Sequence, residues 1–168
     1  MIQTMPNLFI SRQELRQAHE SICQAINEIG RVLGRARCVA QNLFFRLESD
    51  GVVMITVSAS TLLIIVSASP FSLAVPGSMA VEKIESLLNG YNRKVSGKLT
   101  FVPDKDFLGG YVEYSLEVPS KAVRPEQAGI LVWTAAWDVA EVYKPLREDL
   151  MRLLDGGLKS IFPGIPRA

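Results

Sequence analysis

Residues able to do covalent or metal chemistry are few here: among 168 there is one histidine, His19, and two cysteines, Cys23 and Cys38. His19 sits one position from the apolar face of a helical pattern, where an imidazole is ordinarily a surface or half-buried helix residue, and no second histidine exists to build a triad. The cysteines lie outside any C-x-x-C spacing. Cys23 falls within the helical pattern and reads as a reduced, buried thiol, which makes a reducing cytoplasm the simplest home. One histidine and two scattered cysteines do not supply a structural zinc site, so no metal ligands are assigned. Gly97-Lys98-Leu99-Thr100 contains a Gly-Lys pair, but the second glycine and the hydroxyl residue directly after lysine that a phosphate loop needs are missing. Asp104, Lys105 and Asp106 share one turn and read as solvated charges. No catalytic residue and no cofactor site is assigned.

Charge narrows the partners. Eighteen Lys and Arg against seventeen Asp and Glu leave a net charge of +1, so no global field draws the chain onto nucleic acid or an anionic surface. The basic clusters Arg31, Arg35, Arg37 and Arg93, Lys94, Lys98 lie near element ends without interleaved aromatics, where the helix dipole explains them. Met1 to Pro6 has no basic region leading into a long apolar core, so it does not read as a secretory signal.

The elements that must position these residues follow from periodicity. Ser11 and Glu14 form a capping box, and Leu15, Ala18, Ile22, Ala25, Ile26, Ile29, Val32 and Leu33 recur at helical steps, predicting a helix over 12–33. Strands follow at 39–47, 52–57 and 62–66, the first two joined through Asp50-Gly51. Pro70 and Pro76 mark the exit from the sheet, and Ser78 opens a second helix that stops near Asn89-Gly90. Strands at 98–102 and 111–118 come next; in the latter Val112, Tyr114, Leu116 and Val118 alternate with Tyr111, Glu113, Ser115 and Glu117, as in a sheet wet on one side. Arg124-Pro125-Glu126 opens a last helix running to about Leu154, which Pro145 should bend. The expectation is one α+β domain over 1–155, an antiparallel five-stranded sheet with helices in the order α-β-β-β-α-β-β-α, and a proline-rich C-terminal tail over 156–168.

Between Gly51 and Glu82 no side chain is ionisable. Serines and threonines cut this stretch into runs of strand length, and Pro70 and Pro76 interrupt a helix, so it reads as buried strands rather than a membrane span. Val52 to Val57 and Leu62 to Val66 are apolar on both faces, which calls for cover on both sides of the sheet. The last helix has a second apolar stripe, Ile130, Trp133, Trp137 and Ala140, beside its main one. On the sheet's second face, at about 1.5 to 3 kcal/mol for each large aliphatic side chain fully buried, four or five such residues would drive recruitment of another surface, and the last helix adds to that surplus.

The segments Leu87-Leu88-Asn89-Gly90-Tyr91-Asn92-Arg93-Lys94, Gly97-Lys98-Leu99-Thr100-Phe101 and Gly110-Tyr111-Val112-Glu113-Tyr114-Ser115-Leu116-Glu117-Val118-Pro119 resemble the pattern of the YbjN family of bacterial proteins. Asp138, Tyr143 and Pro145 resemble how that family's final helix closes. The element order is similar to the fold this family shares with type III secretion chaperones. The resemblance implies a non-enzymatic role, commonly as a dimer that binds segments of other proteins, with some relatives described as regulators.

The functional expectation is therefore a cytoplasmic, chaperone-like protein-binding or adaptor protein, not an enzyme, that forms a homodimer or binds another protein chain, with no nucleic acid and no membrane span. Its candidate interface comprises Val52, Met54, Leu63 and Ile65 on the sheet and Ile130, Trp133 and Trp137 on the last helix. The alternative is a small-molecule binding domain or enzyme with a pocket between sheet and last helix, lined by Trp133, Trp137 and Tyr114.

Overall fold

The capping box forms as the sequence requires. The Ser11 amide donates to Glu14 Oε1 at 3.0 Å and the Glu14 amide to Ser11 Oγ at 3.1 Å, and helix α1 spans Arg12–Leu33. In this computed structural model the described residues are 7–33, 38, 42–47, 51–74, 78–105 and 109–154; the side chains of 33, 42, 44–47, 51–53, 78 and 79 are outside the description. After α1 come strands β1 (Asn42–Leu47), β2 (Gly51–Ala59) and β3 (Leu63–Ala74), helix α2 (Ser78–Tyr91), strands β4 (Lys98–Pro103) and β5 (Gly109–Pro119), two 3-10 turns at Ser120–Ala122 and Pro125–Gln127, and helix α3 (Gly129–Leu154). The tail beyond 155, Arg35, Arg37, Asp106 and the start of the first expected strand at 39–41 lie outside the described residues, as do Asp50 and Pro76.

All strand pairs are antiparallel, in the order β1-β2-β3-β5-β4. The three helices cover one face. Ile55, Val57, Ile64, Val66, Ala68, Phe71, Leu73, Leu99, Phe101, Val112, Tyr114 and Leu116 point under them and are buried, and alternation sends their neighbours to the other face. The uncharged stretch thus becomes β2 and β3, and no helix among the described residues is long and apolar enough to cross a membrane.

Pro70 does not end the third strand. β3 runs on to Ala74, with a register shift between Ala68 and Phe71. Pairing with β2 stops at Ala68, so past that point β3 has β5 alone as a neighbour among the described residues, and the register shift at Pro70 takes its missing amide out of the ladder. Pro125 likewise opens a 3-10 turn rather than the α-helix, which begins at Gly129 and continues through Pro145.

The free thiol expected at Cys23 is not present. Cys23 and Cys38 pair as a disulfide with a Cα separation of 5.7 Å, a partnership that helical periodicity could not reveal because Cys38 lies beyond the end of α1. A cytoplasmic location inferred from free thiols loses that support.

Candidate functional site: two apolar surfaces

Helix α3 is set in place from both ends. At its start Ser21 of α1 donates its hydroxyl to the Glu126 carbonyl at 3.0 Å and accepts the Gly129 amide at 2.9 Å, so one α1 side chain caps the first turn of α3. The crossing is close: a Cβ at Gly129 would lie 2.6 Å from the Ser21 carbonyl oxygen and 2.8 Å from Ala25 Cβ. Farther along, Phe71 and Tyr143 stack with centroids 5.1 Å apart, and Tyr91 at the end of α2 donates to Asp149 Oδ2 at 2.5 Å. Burial, the bond to Asp149 and its charge push the Tyr91 phenol up to about 12.

The rotation of α3 is fixed by Asp138. This carboxylate is 8% exposed, and its Oδ2 accepts the Tyr114 hydroxyl at 2.6 Å, the Ser96 amide at 2.9 Å and the Gly97 amide at 3.3 Å. Burial first, then the Asp138 contact, pushes the Tyr114 phenol far above its ordinary range, so it stays a donor. Sequence periodicity missed this cluster as a unit, although a lone carboxylate amid the apolar positions of a helix is the signal that could have found it.

With Asp138 pointing inward, the 100° turn per residue sends Trp137 outward. Trp137 is 59% exposed and Ile130, two turns earlier, 57% exposed, while Trp133 between them is half-buried against the core. Three expected interface residues therefore do share one stripe on the outer side of the helical layer. Glu141, Lys144 and Glu148 continue it as charged surface.

The sheet residues form a separate surface on the opposite layer. Met54 is 47% exposed and Leu63 and Ile65 are half-buried there, while the side chain of Val52 lies outside the described residues. This face is less apolar than two-faced strands implied. Ser58 stands opposite Ile65, Glu117 opposite Ile65 on the other side, and Thr56 opposite Ser67, which in turn meets Ser115. Water can cover much of it, so among the described side chains Met54, Leu63 and Ile65 are apolar points on a mixed face rather than a sheet-wide apolar layer.

Nor do Tyr114, Trp133 and Trp137 surround one pocket. Tyr114 is 0% exposed and bonded to Asp138, whereas Trp137 projects into solvent. His19 is occupied structurally, its Nε2 lying 3.2 Å from the Ala59 carbonyl oxygen. Among the described residues no group of three metal-ligating side chains converges.

No family model matches the sequence, and no curated protein matches it at a significant level. Solved structures are similar. YbjN of E. coli, a protein proposed to regulate transcription, aligns with a TM-score of 0.53 and 15% identity over 78% of this chain and 92% of its own. Weaker likenesses are to an uncharacterized protein from Methanothermobacter thermautotrophicus, with a TM-score of 0.44 and 14% identity over 79% of this chain and 99% of that one, and to the HopA1-SchA chaperone-effector complex, with 0.39 and 11% over 77% and 98%. At these identities the likeness is one of architecture: the chain has a YbjN-like α+β fold, in which an antiparallel sheet carries three helices on one face.

Proposed function

We propose that the chain is a non-enzymatic protein-binding module that associates with a second copy of itself through the outer stripe of α3. The observation that carries this reading is the exposure of Trp137 together with Ile130, with Trp133 at their centre. An indole left in water at the middle of a helix forgoes a large burial term, and tryptophan anchors are the side chains around which interfaces concentrate their energy. The Asp138 contacts favour a binding role, because they hold the helix rotation that presents Trp137 and so limit the ordering cost of association. The sheet face near Met54 is the lesser surface, since serines, threonines and glutamate interrupt it.

Light scattering over a range of protein concentrations tests the proposal. Wild type is expected to be a dimer at tens of micromolar and Trp137→Arg a monomer, with identical circular dichroism because the position is exposed. Losing an anchoring tryptophan costs about 2 kcal/mol or more at such interfaces, which is roughly thirtyfold in dissociation constant. A wild-type chain that stays monomeric throughout removes the proposal.

A further inference from the structure

We propose that the Cys23–Cys38 bond is a redox-operated latch on the edge strand β1. Cys23 lies on α1, which is strongly held: Ala18, Ile22, Ala25, Ile26 and Ile29 are all buried in the core, and Ser21 ties the helix to α3. Cys38 lies four residues before β1, whose single sheet neighbour among the described residues is β2. The Leu43 side chain of β1 is buried in the core. The bond therefore ties the segment leading into an edge strand to a firmly anchored helix, over a sequence separation of 15 residues.

The two ends of the sheet are secured differently. At β4 the Asn92 side chain donates to the Leu99 carbonyl at 3.0 Å and accepts the Leu99 amide at 2.6 Å, so a side chain from beyond α2 covers the free edge at Leu99. Near β1 the tie to α1 is a covalent bond that chemistry can break. Both cysteines are half-buried, within reach of a small or protein dithiol. A reductant thiolate attacks one sulfur and forms a mixed disulfide while the other cysteine leaves as a thiolate and takes a proton; the second reductant thiol then resolves the mixed disulfide. Two electrons and two protons pass to the protein, and the reductant becomes a disulfide. In the reduced form β1 opens locally more often, and each opening unpairs the outer edge of β2.

Hydrogen exchange read by mass spectrometry on the full chain tests this. After treatment with oxidised glutathione the protein should be 2 Da lighter than after dithiothreitol, and reduction should speed exchange of amides 43–47 at least tenfold, up to about a hundredfold for a loop of this length. Amides in the middle of α3 should not change. The Cys23→Ser/Cys38→Ser double variant should behave as the reduced protein whatever the buffer. Failure to form the 2 Da lighter species overturns the latch, as does reduction that leaves β1 exchange unaltered or accelerates β1 and α3 equally. None of these readouts depends on oligomeric state, which light scattering on the same samples reports separately.

Discussion

A single carboxylate oxygen decides how α3 lies. Asp138 Oδ2 accepts three hydrogen bonds from groups 24, 41 and 42 residues away in the chain, which is why composition and periodicity alone could not assemble them. Tyr114→Phe keeps the ring and removes one charge-assisted bond, so the expected loss is about 1.5 to 3 kcal/mol. Urea denaturation should show a lower midpoint with unchanged slope; an unchanged midpoint would mean that the two amides suffice. Tyr91 gives a prediction in pH. Its phenol is pushed up to about 12 in the folded chain against an ordinary value near 10 when unfolded. The folded state therefore holds that proton more tightly, and the resulting stability is complete below about pH 10 and lost as pH rises toward 12. Absorbance at 295 nm, wild type minus Tyr91→Phe, should show the missing phenol ionising near the top of that range; a difference midpoint near 10 contradicts the Asp149 bond.

At the scale of elements, two glycines in helices have opposite reasons to be there. Gly90 lies in the last turn of α2 with nothing within 4 Å of where a Cβ would be. Gly90→Ala should stabilise by about 0.5 to 1 kcal/mol through helix propensity alone. Gly129 opens α3 against α1, where a Cβ would strike the Ser21 carbonyl, which is backbone and cannot swing aside. There the clash outweighs propensity, and Gly129→Ala should cost about 1 to 3 kcal/mol. Calorimetry on the pair checks the signs, and a stabilising Gly129→Ala would show that the helices can separate freely. Helix α1, the alternation of β5 and the capping box were legible because each is written in neighbouring residues. The length of β3 was not, since a proline looks like a strand end unless one knows that its β2 partner has already stopped. The disulfide was hidden for a related reason: spacing along the chain says nothing of a helical cysteine and one beyond the helix end coming together.

For the whole molecule, the surplus of apolar residues was readable from the sequence, but its location was not. Counting oily side chains on β2 and β3 suggested a sheet apolar on both faces; the fold gives one face to the helices and leaves the other interrupted by Thr56, Ser58, Ser67 and Glu117. Among the described residues, the stripe on α3 keeps a large share of that surplus, with Ile130 and Trp137 both more than half exposed. These two surfaces lie on opposite layers, so one spectroscopic probe separates them. In a Trp133→Phe background Trp137 is the single indole, and its quenching by acrylamide reports its exposure directly. Quenching should weaken as protein concentration rises, with a midpoint matching the dissociation constant from light scattering, and Met54→Lys should leave that curve in place. Light scattering that reports a dimer while Trp137 stays equally quenchable at every concentration would move the interface off α3 and onto the open sheet face.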